Sequence, residues 1–184
     1  MRALLNRKVF SRLEIRIAII TIAITGFVLG LSFVYTSSVK NGFYVSVNIV
    51  GESMHKTLDE DSKILFISHK VRKIRRGDIV HANAYKYGGT LYFEGSQNPL
   101  IIVKRVIALP GETISIKGNR VYINGVLLDE PYAYYEYESS DDMTVTLGDD
   151  QYFLMGDNRV NSADSRDFDL SDSESILGVA LIIR

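Results

Sequence analysis

The sequence contains no cysteine and no tryptophan, and it has only three histidines among 184 residues. Without cysteine there is no disulfide framework, no thiolate zinc site and no cysteine nucleophile. His55, His69 and His81 do not have the spacing of a metal site, so we expect neither a metal nor a cofactor. The net charge of −1 gives no reason to expect nucleic acid as a partner. An enzyme with this composition needs a catalytic base other than cysteine, and histidine is scarce.

A long apolar run, Ile17 to Tyr35, stands near the N-terminus and would span about 28 Å as a helix. Five basic residues and one acid precede it, whereas Lys40 is the only basic residue in the 20 positions that follow it. This asymmetry predicts a single-pass anchor at 17–35 in the lipid bilayer of the plasma membrane. Residues 1–16 would then be cytoplasmic, and residues 36–184 would form a domain on the outer face. The alternative is a cleaved secretory signal peptide, whose apolar core is usually about 7 to 15 residues long.

Beyond the anchor, short apolar runs alternate with turn residues, which predicts a mainly β domain. Asn124-Gly125 favours a type I′ hairpin turn, and one short helical turn is expected around Met54 to Leu58. The segment Tyr132 to Asp150, rich in Tyr, Glu, Ser and Asp, is interpreted as a mobile excursion. The predicted strands are Phe43–Val50, Lys63–Ser68, Asp78–His81, Leu100–Ile107, Thr113–Ile116, Val121–Ile123, Val126–Leu128, Gln151–Met155 and Gly178–Ile183.

A basic stretch, His69 to Arg76, separates two of these strands. We interpret it as a solvated loop, because charge runs of this length usually face water. Anionic lipid headgroups near the anchor are the alternative partner.

Lys104 lies within an apolar strand. Alternation along the strand places it on the same face as Ile102, Val106 and Ala108. A lysine of ordinary pKa, about 10.4, is neutral in only about one molecule in 2,500 at pH 7. Burial among apolar side chains can lower that pKa by the roughly 3 units that a lysine base needs, and a serine hydroxyl beside it could then lose its proton. Taken singly, Lys104 could equally be an ion-paired surface lysine, and Ser53 could be a helix N-cap.

Several segments, in this order behind the apolar run, resemble the type I signal peptidase family. They are Ser53-Met54 (the nucleophile box), Arg76–Val80, Lys104–Ile107 with Pro110–Glu112 (the lysine box), Val121–Gly125, Glu130–Tyr132, and Gly156–Arg159 with Ser162, Asp164, Ser165 and Arg166. The resemblance covers nearly the whole chain. It implies an antiparallel β-sheet domain that removes N-terminal signal peptides from exported preproteins.

The same resemblance assigns roles to individual residues. Ser53 is implied to be the nucleophile and, through its backbone N–H, an oxyanion donor, while Lys104 is the general base and Ser162 orients the lysine. The substrate is implied to lie as an added strand, with small side chains at −1 and −3 in shallow apolar pockets. The supporting residues are Met54, Asp157, Asn158, Asp164 and Arg166, held partly by an ion pair. The substrate-binding residues are Val47, Ile49, Val50, Gly51, Ile102 and Val103.

Three positions depart from the family pattern. Lys56 stands where proline is usual, so the turn that follows the nucleophile is expected to be looser. Asp169 replaces a glycine, which matters if that position needs positive φ. Gly51 lacks the hydroxyl that some members use as a second oxyanion donor, and a glycine there resembles the Gram-positive members.

Three other functions stay open at this point. The self-cleaving repressor family shares a Ser–Lys pair and a β core, but its members have a DNA-binding module or a self-cleavage segment. A non-catalytic assembly factor for surface-fibre subunits would suit the departures at Lys56 and Asp169, although it has no need of both Ser53 and Lys104. An anchored β domain with a binding role alone would make the matching segments a coincidence.

Overall fold

The computed structural model describes residues 20–21, 23–32, 44–86, 89–90, 97, 99–137 and 142–182. The chain divides into two units, Met1–Asn41 and Gly42–Arg184. In the first unit, residues 20–21 and 23–32 are helical. Within the described residues, no helix is both long and apolar enough to cross a bilayer. The predicted segment 1–16 and part of the predicted anchor 17–35 lie outside the described residues, so both stay predictions.

The described part of the second unit is built from β-strands. The larger sheet has the order β1-β2-β12-β3-β6-β11, a smaller sheet has the order β10-β7-β8-β9, and β4 pairs with β5. All neighbouring strands run antiparallel. The strands are β1 Tyr44–Asn48, β2 Lys63–Ile67, β3 Ile79–Asn83, β4 Tyr85–Lys86, β5 Gly89–Thr90, β6 Ile101–Ala108, β7 Thr113–Lys117, β8 Arg120–Ile123, β9 Val126–Leu127, β10 Asp142–Thr146, β11 Phe153–Met155 and β12 Ile176–Ile182.

Every strand predicted from the sequence is found, with its ends shifted by at most two residues. The predicted mobile excursion between Tyr132 and Asp150 is wrong for Asp142–Thr146, which form β10 and pair with β7. Met143 and Val145 alternate with polar residues there and pack against the core from one face. The polar composition of the segment, with Asp and Thr at three of its five positions, is typical of a loop and masks this alternation.

Three hydrophobic clusters of the described residues hold the domain together. The first lies between the two sheets, where Ile107 and Phe153 of the larger sheet pack against Ile114 of the smaller one. The third matters most for the site, because it buries Met54 and Leu58 from the turn after β1 against the larger sheet. Burying such side chains contributes about 1.5–3 kcal/mol each, which fixes that turn in place.

Strand β6 carries Lys104. The alternation of its side chains between the two faces of the sheet ends before its last residue, Ala108. Phe153 of β11 pairs with Ala108, and the next residue, Leu154, pairs with Val106. The register therefore shifts here, and Ile107 is the extra residue of β6. Ile107 and Ala108 both pack in the first cluster, whereas Val106 packs in the second. The expectation that Ala108 shares the face of Lys104 is therefore wrong, because a β-bulge adds a residue to one strand and reverses the alternation beyond it.

Candidate active site

Lys104 and Ser53 are in direct contact. The Nζ atom of Lys104 donates a hydrogen bond of 2.6 Å to the Oγ atom of Ser53. Lys104 lies in the middle of β6, paired with Val80 of the neighbouring strand, and is 4% exposed. Ser53 lies in the turn that follows β1 and is half-buried. The two residues that the sequence marked as nucleophile and base are thus within hydrogen-bonding distance, although 51 positions separate them.

Burial lowers the pKa of Lys104 from 10.5 to about 8. Charges modify this value: the nearby Asp164 and Asp157 raise the pKa, while Arg166 lowers it. At pH 7 a pKa near 8 leaves about one lysine in ten neutral, compared with about one in 2,500 for an ordinary lysine. The amine beside Ser53 is therefore available as a proton acceptor at neutral pH.

The turn after β1 holds Ser53 in place through its main chain. Backbone N–H groups of Thr57 and Leu58 donate to the carbonyl of Met54, at 3.0 and 2.8 Å, so a turn forms where one was predicted, but it is a hydrogen-bonded turn and not helical. Lys56 has a φ of 72°, which proline cannot adopt because its ring holds φ near −65°. The Lys56 ammonium also lies 3.8 Å from the ring centroid of Tyr134, a cation–π contact that anchors this turn to a second segment.

The segment after β11 holds Ser53 from the other side. The backbone N–H of Asn158 donates to the carbonyl of Ser53 at 3.0 Å, and its side-chain amide donates to the carbonyl of Glu52 at 3.2 Å. Gly156 lies so close that a Cβ there would be 2.4 Å from the Ser53 carbonyl and 2.3 Å from Ser162 Oγ. Asn158 was predicted as a support. The role of Gly156 was missed, because close approach between distant segments leaves no local signal in the sequence.

Asp157 is fully buried and accepts two hydrogen bonds from one guanidinium. Arg105 donates to its two oxygens at 2.8 and 2.6 Å, and the hydroxyl of Thr57 donates to Oδ2 at 2.5 Å. The Arg105 side chain also lies 4.0 Å from the centroid of the Tyr132 ring. Such bidentate pairs hold planar groups in one orientation. The sequence analysis predicted Asp157 but missed Arg105, although an arginine in an apolar strand is itself a sign of a buried carboxylate partner.

Asp164 is the second buried carboxylate of the site. Arg166 Nε donates to its Oδ1 atom at 2.9 Å, an ion pair between two of the residues for which the family resemblance implied one. Its Oδ2 atom accepts from the backbone N–H of Gly156 at 3.0 Å and from the hydroxyl of Ser162 at 2.7 Å. The Ser162 hydroxyl thus has Asp164 as its hydrogen-bond acceptor. The predicted contact between Ser162 and Lys104 stays a prediction. Asp169, which replaces the family glycine, is not among the described residues with a positive φ.

A cavity of about 580 Å³ opens beside Ser53 and Lys104. Its wall is largely apolar, and it includes all six residues predicted to bind substrate: Val47, Ile49, Val50, Gly51, Ile102 and Val103. Seven further lining residues were not selected from the sequence, and three of them are polar: Glu52 and Asn161, whose side chains are joined by a hydrogen bond of 3.1 Å, and His81. The cavity can hold small side chains next to the serine hydroxyl.

Several known proteins are similar to this chain. The family model for signal peptidase, peptidase S26, matches residues 15–184. Signal peptidase I V of Bacillus subtilis (strain 168) is 34% identical over 165 residues, covering 81% of this chain and 90% of the relative. A signal peptidase I of Bacillus amyloliquefaciens is 36% identical over 140 residues, covering 70% of this chain and 68% of the relative. A crystal structure of a signal peptidase I from Enterococcus faecalis V583 is 31% identical, covers 59% of this chain and 97% of that chain, and has a TM-score of 0.47. The match over residues 15–184, with the identity to these relatives, shows that the chain belongs to the signal peptidase family, peptidase S26.

Proposed function

We propose that this signal peptidase removes N-terminal signal peptides from exported preproteins with Ser53 as nucleophile and Lys104 as general base. The observation that carries the proposal is the hydrogen bond of 2.6 Å between a buried lysine amine and a serine hydroxyl. Burial supplies the lowered pKa that lets the amine accept a proton at neutral pH. A nucleophile within reach of its base is the arrangement that covalent catalysis requires.

The proposed reaction has two steps. In the first, Ser53 Oγ attacks the carbonyl carbon of the −1 residue while neutral Lys104 takes the hydroxyl proton, and the backbone N–H of Ser53 donates to the oxyanion. The resulting ammonium gives that proton to the leaving amine, so the mature protein departs and the signal peptide stays as an ester on Ser53. In the second, Lys104 takes a proton from water as the water oxygen attacks the ester. That proton then returns to Ser53 Oγ, and the signal peptide leaves with a free carboxylate.

The proposed substrate is an extended segment with small residues at −1 and −3. The cavity is lined by residues following β1 and by the beginning of β6, so an added strand would place alternate side chains into it. Its apolar wall suits apolar side chains, and the preference for small ones at −1 and −3 is what the family resemblance implies. Met54, Asp157, Asn158, Asp164 and Arg166 would support the site without taking part in the reaction.

The proposed location is the plasma membrane. We infer one anchor at 17–35, with residues 1–16 in the cytoplasm and the catalytic domain, 36–184, on the outer face. The support is the excess of basic residues before the apolar run. In the described helical residues, apolar side chains such as Ile24 and Phe27 are 58% and 68% exposed, as expected of side chains that face lipid.

Incubating the purified full-length protein in detergent with a panel of preproteins, including a surface-fibre subunit, tests the proposal. We expect cleavage after a small-x-small sequence, as the family resemblance implies, and N-terminal sequencing of the products locates the cut. A non-catalytic assembly factor would leave every preprotein intact, which would contradict the proposal. Cleavage of one preprotein alone would identify a dedicated substrate.

The activity should rise with pH through about 8. Below the pKa of Lys104, which burial lowers to about 8, the protonated fraction of the amine cannot act as a base. We therefore expect kcat/KM to increase about tenfold per pH unit from pH 6 toward 8 and to level off above it. A continuous assay with a peptide substrate measures the profile, and a flat profile from pH 5 to 10 would exclude a lysine base.

A further inference from the structure

His81 is a polar residue in the wall of the cavity that the proposed mechanism does not use. It lies in β3, where the register pairs it with Val103 of β6 on one side and Gly178 of β12 on the other. It is 5% exposed, and it lines the same cavity as Ser53. Since paired residues of adjacent strands share a face, His81 and Val103 present their side chains to the cavity together.

The imidazole of His81 is held in place by its neighbours. Its ring centroid lies 4.6 Å from that of Phe66. Gly178 leaves the space that the ring occupies, since a Cβ at that position would be 2.8 Å from Nε2. A ring packed in this way cannot retreat from the cavity, so it sets the depth of this part of the wall.

The imidazole is also a polar group without a full set of hydrogen bonds. Its Nδ1 atom is buried and has no hydrogen-bond partner among the described residues. Burial lowers the pKa of His81 from 6.5 to about 4, so the ring is neutral at neutral pH. A buried polar atom without a partner destabilises the fold, and because His81 lines the cavity, its unsatisfied atom suggests a partner that arrives with the substrate.

We propose that His81 is a specificity-determining residue that hydrogen-bonds a small hydroxyl side chain, serine or threonine, at −1 or −3 of the preprotein. A neutral imidazole donates at one nitrogen and accepts at the other. A hydroxyl can do both, so it matches either tautomer, whereas alanine offers neither. In the proposed complex the ring keeps its place in the wall but turns about the Cβ–Cγ bond, a soft torsion, so that a nitrogen faces the cavity. The inference rests on the proposed function, because it names a substrate feature read by the same site.

The test uses pairs of preproteins that differ only by alanine or serine, first at −1 and then at −3. In the full-length wild-type protein and in His81→Val, kcat/KM is measured for each member of a pair. We expect the serine-to-alanine ratio to fall at least fivefold in His81→Val at one of the two positions, because valine cannot hydrogen-bond. His81→Gln, which keeps a hydrogen-bonding group, should retain part of the serine preference.

His69 offers a matched control. Its Nδ1 atom is likewise buried without a partner among the described residues, but it lies in the loop between β2 and β3 and does not line the cavity. His69→Val should therefore keep the wild-type ratio.

An unchanged ratio in His81→Val at both positions would overturn the inference. If wild-type protein cleaves neither member of a pair, the proposed function itself fails, which is a different result. Thermal unfolding checks that each variant is folded, and His81→Met replaces His81→Val if valine is not tolerated.

Discussion

Lys104→Met is expected to abolish cleavage and, at the same time, to stabilise the fold at neutral pH. Methionine fills a similar volume but cannot accept the proton of Ser53, so kcat/KM should fall by at least about 10³-fold. Ser53→Ala should lose activity to the same extent, since a nucleophile and its base act as one unit. Cleavage of a preprotein by purified variants in detergent measures both losses.

The gain in stability follows from the direction of the pKa shift. Folding lowers the pKa of Lys104 from 10.5 to about 8, which corresponds to a cost on the order of 3 kcal/mol for keeping its proton. Below pH 8 the folded protein carries that full cost, and between about pH 8 and 10.5 the cost disappears as the folded lysine deprotonates first. Lys104→Met should therefore raise the free energy of unfolding at pH 7 by up to about 3 kcal/mol. The gain should vanish near pH 10.5.

Lys63→Met is the matched control, because Lys63 is an exposed lysine in the β2 strand. It should change neither activity nor stability by more than a small amount. Denaturant unfolding at several pH values, together with the cleavage assay, compares the two variants. A Lys104→Met protein that keeps more than a few per cent of the wild-type activity would contradict the lysine-base mechanism. A Lys104→Met protein that is less stable than the wild type at pH 7 would show that burial of the protonated amine does not destabilise the fold.

Gly156→Ala is expected to cause the second large loss of activity, without removing any reacting group. A methyl group at this position would lie 2.4 Å from the carbonyl of Ser53 and 2.6 Å from Cβ of Ser162. Both must move by about an ångström to reach ordinary contact, which shifts Ser53 away from Lys104. Because a 1 Å displacement of a reacting group can cost about 10²-fold in rate, kcat should fall by that order. Overpacking should also destabilise the fold by about 1–3 kcal/mol.

Gly148→Ala provides the comparison for this variant. A Cβ at position 148 meets only the side chain of Gln151, with its Oε1 atom at 3.2 Å, and a flexible side chain can move aside. It should therefore leave cleavage close to the wild-type rate. Full activity in Gly156→Ala would show that the segment after β11 does not position Ser53.

The arrangement of buried charges explains why the site tolerates a lysine in an apolar strand. Asp157 is paired with Arg105 and Asp164 is paired with Arg166, so each carboxylate is neutralised by its own arginine. Arg166 lowers the pKa of Lys104 whereas Asp164 raises it, so Asp164 without its arginine would favour the protonated amine. The ion pair between Asp164 and Arg166 thus favours the neutral amine that the proposed mechanism needs.

The sequence by itself determined the strands and marked the pair of residues proposed to react. Alternation of apolar and polar residues is a local property, so it predicted nearly every strand of both sheets. The motifs around Ser53 and Lys104 marked the two residues before any contact between them was visible. Composition and alternation conflict at Asp142–Thr146, where loop-like residues form a strand because β7 offers a partner.

Tertiary structure alone decided how those residues behave. The pKa of Lys104 depends on burial by distant segments, and the partners of Asp157 and Asp164 depend on which strands become neighbours. The close contact at Gly156 and the position of His81 in the cavity wall likewise arise between segments far apart in the chain. Distances, desolvation and steric limits are set by packing, and a linear pattern of residues does not contain them.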